Sequence, residues 1–153
     1  MRPKRSLDEP GMVEALIERL SRVRPDTPRQ WGAMTPHEML CHLADAYEGV
    51  LGGRVVSPSG TLLTRTVVKW IALHSTIPWP HGVATRPEVN PRDKGTRPSV
   101  FATDQARAIE WLRRFAAADV STALHPGFGR MSRREWMLWG FGHADHHLRQ
   151  FGN

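Results

Sequence analysis

The chain has 153 residues, enough for one domain with its own hydrophobic core. Its composition is globular, with 40% hydrophobic and 24% charged residues, and its net charge is +6. The basic residues are nearly all arginines scattered among acidic residues, which argues against a nucleic-acid-binding protein. The single cysteine, Cys41, excludes an intrachain disulfide and fits a reducing compartment.

Targeting and membrane signals are not evident in the sequence. Residues 1–5 are basic, but the apolar segment that a signal peptide needs does not follow them. The densest apolar run, residues 67–73, is short and contains Lys69, so we expect no membrane-spanning helix. We therefore expect a cytoplasmic protein with a single helical domain over residues 1–153, in which residues 1–9 form a flexible basic arm.

The first half of the chain contains three predicted helices. Apolar residues repeat at helical spacing over about residues 10–24, and Pro25 should end this helix. The second helix begins at a capping box, with Thr35 as N-cap and Glu38 as the third helical residue, and ends at Gly52–Gly53. A third helix is predicted over about residues 61–74.

The second half begins with a segment that is unsuited to regular structure. Residues 77–99 contain five prolines, so we expect a long loop or crossover. A fourth helix is predicted to start near Thr103 and Asp104 and to cover residues 106–118. A second capping box, with Ser132 as N-cap, opens a last helix over about residues 133–151. Helices with one long crossover and no alternating strand pattern predict an all-α helical bundle.

The last helix carries histidines at the spacing of a metal-binding pair. His143 and His147 are four residues apart, so both rings project from one face of the helix and can bind one ion. His146 points about 100° away from His147 and does not easily face the same ion. The second helix offers a third ligand: His42 would complete a three-histidine site with an open position, whereas Cys41 is expected to pack in the core and not to bind metal.

Several neighbouring residues also have structural interpretations. The histidines themselves could be polar surface residues near a helix C-terminus. We expect His37 to be a surface residue. Trp136 and Trp139 lie on the same side of the last helix as its histidine pair, and we expect them to pack in the core, with an apolar wall around a metal as the alternative. Asp145 or Gln150 could orient one imidazole by a hydrogen bond.

Four segments of the sequence resemble those of a known protein family. They are Trp31–Pro36, Met39–Asp45, His125–Gly129 and His143–Gly152. Together they resemble the DinB-like (YfiT-like) superfamily, and more narrowly one of its uncharacterised bacterial subfamilies. The resemblance implies a four-helix bundle in up-down-down-up order with a long crossover. It also implies a divalent metal site on His42, His143 and His147.

The resemblance supports the site better than any one reaction, because unrelated functions share folds. Characterised relatives include thiol-dependent S-transferases and a mycothiol-dependent maleylpyruvate isomerase, and others have been described as metal-dependent hydrolases. Our leading interpretation is a thiol-dependent S-transferase that binds a low-molecular-weight thiol at the metal. The alternatives are a metal-dependent hydrolase and a non-catalytic metal-binding stress-response bundle. No catalytic residue is assigned.

The expected ligands follow from these interpretations. Zinc or nickel is the expected metal, with iron or manganese as alternatives. A small-molecule substrate is expected, with neither a nucleic acid nor a membrane as partner, and a homodimer is left open. A polar cleft above the metal would favour an enzyme, whereas a metal sealed by tryptophan and leucine would favour a structural ion.

Overall fold

Helices are the main regular structure in the computed structural model, which describes residues 4–153. The helices are α1 (Met12–Arg22), α2 (Pro36–Val50), α3 (Lys69–His74), α4 (Phe101–Ala117) and α5 (Arg133–Gln150). A π-helical turn, Thr64–Val68, leads into α3, and a short 3-10 helix covers Pro87–Val89. Over residues 4–153 the only sheet is a hairpin of β1 (Leu124–His125) and β2 (Gly129–Arg130). The predicted all-α bundle is confirmed.

Capping boxes begin α2 and α5, as the sequence predicts. The Thr35 hydroxyl accepts the Glu38 amide at 3.1 Å, and the Glu38 carboxylate accepts the Thr35 amide at 2.8 Å. Ser132 and Glu135 make the same reciprocal pair at the start of α5. Each box satisfies two backbone donors that a helix start leaves without partners, so the two helices that carry the histidines have fixed N-termini.

The other helices differ from the prediction at their ends. α1 ends at Arg22, because the residue before a proline, here Arg24, disfavours helical backbone angles. α4 begins at Phe101, earlier than predicted, and the Asp104 carboxylate in its first turn accepts the amide of Ser99. The third helix opens as a wider π-helical turn in which the Thr66 hydroxyl donates to a backbone carbonyl one turn earlier.

The hydrophobic core lies between the four longer helices. α2 packs most extensively against α4, and α1 packs against both α4 and α5. The largest fully buried side chains include Trp136, Tyr47, Phe115, Leu40 and Leu112. Gly140 allows the Phe115 ring to pack directly on the backbone of α5, since a Cβ there would lie 2.3 Å from the ring.

One buried carboxylate fixes the proline-rich crossover to α2. Asp45 is 0% exposed and accepts both the backbone amide of Thr96, at 2.6 Å, and its hydroxyl, at 2.7 Å. Arg54, in the loop after α2, and Arg107, on α4, donate to the same carboxylate at 3.1 and 2.9 Å. The crossover, α2 and α4 therefore meet at Asp45.

Residues 4–9 do not form the flexible arm that we predicted over residues 1–9. Leu7 is 5% exposed, and its amide donates to the carbonyl of Met137 on α5 at 3.2 Å. Burial of this apolar side chain docks the segment on the bundle. Residues 1–3 lie outside the described residues, and the single domain over residues 1–153 stays a prediction.

An apolar face lies on the outside of the segment that contains α3. Leu62, Leu63, Val67 and Trp70 are all exposed there. Within the described part of the chain, no helix combines the length and the hydropathy of a membrane span. The cytoplasmic location and the homodimer stay predictions.

Replacement of Asp45 by alanine should lower the free energy of unfolding by about 3–5 kcal/mol, because the Thr96 amide and hydroxyl lose their acceptor. The partly buried guanidinium groups of Arg54 and Arg107 lose one of their two carboxylates and keep only that of Glu48. Urea denaturation followed by circular dichroism measures this loss.

Glu110→Ala is the control, because it removes only the exposed ion pair with Arg114 and should cost about 0.5 kcal/mol or less. Equal losses in the two variants would contradict the central role of Asp45.

Candidate metal centre

Three histidine rings from two helices meet between α2 and α5. Nε2 of His42 lies 3.1 Å from Nε2 of His143. The ring centroid of His147 lies 4.7 Å from that of His42 and 4.9 Å from that of His143. One nitrogen of each ring is within 4.8 Å of one nitrogen of both other rings. The structure thus brings together the three residues that the sequence singled out.

Hydrogen bonds orient two of these rings. Nδ1 of His42 lies 2.8 Å from the carbonyl oxygen of Val89, and because a carbonyl only accepts, Nδ1 carries the proton. Nδ1 of His147 lies 3.1 Å from Oε1 of Gln150, whose Nε2 donates to the carbonyl of Trp31. In both rings Nε2 is therefore the nitrogen without a proton.

Aromatic packing holds the third ring. His143 stacks on Trp139, with centroids 4.9 Å apart and planes at 28°, and Trp79 lies 6.4 Å away. Its Nδ1 is buried and has no hydrogen-bond partner among residues 4–153. Trp139 therefore forms part of an apolar wall beside the histidines, whereas Trp136 packs deeper, against Trp139 and Phe115.

The surroundings keep all three imidazoles neutral. Burial lowers the pKa of His42, against the opposing effects of the Val89 carbonyl and the Asp45 carboxylate. Burial also holds the pKa of His143 and His147 well below the usual value, and repulsion from the neighbouring histidines adds to this effect. Neutral imidazole is the form that binds metal ions.

The donor set fits a divalent transition-metal ion. Two outward hydrogen bonds leave Nε2 unprotonated in His42 and His147, and each of the three rings places a nitrogen within 4.8 Å of the others, so one cation can bind all three. Imidazole ligands suit zinc, nickel, iron and copper. Three protein ligands leave a position for water or substrate, as in catalytic zinc sites.

An aromatic rim, formed by Trp31, Trp79, His81 and His146, lies beside the three histidines. Trp31 and His81 stack with centroids 4.0 Å apart and planes at 6°. His146 lies 5.8 Å from Trp31 and 6.0 Å from Trp79, and it stays outside the histidine cluster as helical geometry requires. The rim contains two indole and two imidazole rings. It therefore matches neither the polar cleft that would favour an enzyme nor the seal of tryptophan and leucine that would favour a structural ion.

Of the two residues suggested to orient an imidazole, the structure selects Gln150. Asp145 forms ion pairs with Arg19 on α1, at 2.8 Å, and with Arg149, at 2.7 Å, so its assignment to a histidine is wrong. The hydrogen bond from His42 to the carbonyl of Val89 was not predicted from the sequence. A backbone acceptor has no residue signature, and only the long crossover brings it to His42.

The structure also places the remaining α2 candidates. Cys41 is 0% exposed, which confirms its packing in the core. The His37 side chain is 20% exposed rather than fully solvent-exposed, because its Nε2 donates to the Asp104 carboxylate on α4 at 2.7 Å. Neither residue belongs to the three-histidine cluster.

Comparison with known families identifies the chain. A family model described as the DinB superfamily matches residues 8–151, nearly the whole chain. The chain therefore belongs to the DinB superfamily. No curated protein and no solved structure matches it.

Metal-free protein should lose stability as the pH falls below about 6.5, the pKa of histidine in an unfolded chain. The fold lowers the pKa of His42, His143 and His147 by burial, so at lower pH the unfolded state binds more protons. The three histidines contribute fully to the stability of the fold above about pH 6.5, and this contribution is lost as the pH falls through their lowered pKa values.

Urea denaturation in a chelator, between about pH 8 and pH 5, measures this dependence. Replacement of His147 by glutamine should make the free energy of unfolding less dependent on pH than it is in the wild type. His74→Gln, which alters an exposed histidine outside the cluster, is the control. The prediction would be contradicted if the free energy of unfolding of His147→Gln changed with pH as steeply as that of the wild type.

Proposed function

We propose that this member of the DinB superfamily holds a divalent metal ion on His42, His143 and His147 and transfers a low-molecular-weight thiol to an electrophilic small molecule. The proposal depends on one observation, the convergence of three neutral imidazoles in a single cluster. When bound, the metal would supply positive charge that lowers the pKa of a thiol beside it and favours the nucleophilic thiolate.

The protein's own residues would hold and orient the ligands. The Val89 carbonyl and the Gln150 amide keep the rings of His42 and His147 in the tautomer that presents Nε2. Trp139 and Tyr47 pack against His143 and exclude water from the core side of the cluster. A drier environment strengthens the interaction between the histidines and a cation.

The open side of the cluster supports binding of a small molecule. His147 is half-buried, so this side of the cluster is not sealed by the core. The aromatic rim beside them offers flat faces against which an unsaturated or aromatic electrophile can stack. Gln150 bonds both His147 and the Trp31 carbonyl, so it connects a proposed metal ligand to the rim.

The metal site can be tested by elemental analysis and zinc titration of protein purified without a nickel column. His42→Gln and His147→Gln should each lose one bound ion per chain while the helical circular dichroism remains. Gln150→Leu should retain the ion with roughly 10–100-fold weaker affinity, because it leaves the three ligands in place and removes the hydrogen bond to His147, together with the bond to the Trp31 carbonyl.

The exposed His74 provides a matched control in His74→Gln, which should bind metal as the wild type does. Equal metal content in all the variants would refute the site. Elemental analysis also decides between zinc or nickel and the alternatives, iron and manganese.

The reaction can be tested with the metal-loaded protein, a panel of thiols that includes mycothiol and glutathione, and an electrophilic acceptor. We expect S-conjugation that depends on both metal and thiol, that is lost in His147→Gln and that is retained in His74→Gln. Hydrolysis of esters or amides without added thiol would instead indicate a metal-dependent hydrolase. Metal binding without any turnover would indicate a non-catalytic bundle.

A further inference from the structure

A second group of metal-ligating side chains lies on the α4 side of α2. His37 and Cys41 are four residues apart and share one face of that helix. Asp104, in the first turn of α4, faces them, with Oδ2 2.7 Å from Nε2 of His37. One ligand atom from each of the three residues lies within 4.8 Å of those of the other two.

We propose that His37, Cys41 and Asp104 form a second binding site for a zinc-type divalent cation, separate from the three-histidine centre. Cys41, which the sequence analysis expected not to bind metal, would be a ligand of this second site. Thiolate sulfur, imidazole nitrogen and carboxylate oxygen are the ligand atoms that zinc takes in proteins. A set that combines all three favours zinc over the hard cations, which prefer oxygen.

The burial of the group suits a site that is closed on one side. Cys41 is 0% and Asp104 7% exposed, whereas the His37 side chain is 20% exposed. An ion can therefore enter past His37, and water from that side can complete a fourth position. The described hydrogen bonds to the Asp104 carboxylate from the Ser99 amide and from His37 both go to Oδ2.

Movements of about 1 Å bring the three ligand atoms, which now lie within 4.8 Å of one another, to zinc-binding distances. Tetrahedral ligands at zinc distances lie about 3.3 Å apart, so the His37 ring and the Asp104 carboxylate must separate slightly from their present 2.7 Å. On binding, the sulfur–zinc bond forms as the Cys41 thiol proton leaves to the solvent, and the proton that His37 Nε2 donates to Asp104 moves to Nδ1, which frees the Nε2 lone pair for the ion.

The two sites are independent because they lie on different sides of α2. Cys41 and His42 are adjacent, so their side chains diverge by about 100° on the helix. His42 points to α5 and contacts His143, whereas Cys41 lies beside Asp104 of α4. The second site would connect the first turns of α2 and α4.

Cobalt(II) substitution tests this proposal on the full-length protein, in a buffer without thiols. Cys41 is the only cysteine, so a near-ultraviolet thiolate-to-cobalt charge-transfer band has one source. We expect the wild type to bind two ions per chain and to show the band. His42→Gln, which removes a ligand of the other site, should bind one ion and keep the band at full intensity.

The matched variants are His37→Gln and Asp104→Asn, which should each lose the thiolate band and one ion while the three-histidine site still binds cobalt. Both avoid any change to the buried sulfur, so the test stands even if Cys41→Ser fails to fold. A saturated His42→Gln protein without the band would overturn the proposal. A band that is undiminished in His37→Gln and Asp104→Asn would also overturn it.

Discussion

The buried carboxylate of Asp45 holds in place the segments on which the metal centre depends. It lies one helical turn after His42 and accepts hydrogen bonds from Thr96 in the crossover and from arginines on two other segments. With Thr96 anchored, the crossover runs across α2, and the carbonyl of Val89 reaches His42. The ion pairs of Asp45 thus help to orient the His42 ring, and this role is separate from their contribution to the free energy of unfolding.

The parts of the fold and site that follow from local rules could be predicted from the sequence. The capping boxes at Thr35 and Ser132 each depend on residues within a single turn, and both are present. The pairing of His143 with His147, and the exclusion of His146, follow from helical geometry alone. Selection of His42 required the family resemblance, because helical periodicity does not show which residue of one helix faces another.

The parts that depend on distant contacts could not be predicted. The carbonyl of Val89 and the rings of Trp79 and His81 belong to a crossover whose path has no sequence period. The contact between His37 and Asp104 also could not be predicted, because the two residues are 67 positions apart and α4 starts earlier than expected. In both cases tertiary packing determines the role of a side chain whose local pattern is uninformative.

The long sequence separation within the histidine cluster has a consequence for how the protein folds. His42 and His143 are 101 residues apart, and His42 and Val89 are 47 residues apart. Loops of this length must close before the three rings meet, and contacts of high sequence separation slow the folding of small domains. The isolated α5 pair, in contrast, is complete as soon as its helix forms. An ion captured early in refolding would meet two histidines, and the third would arrive only when α2, α5 and the crossover dock.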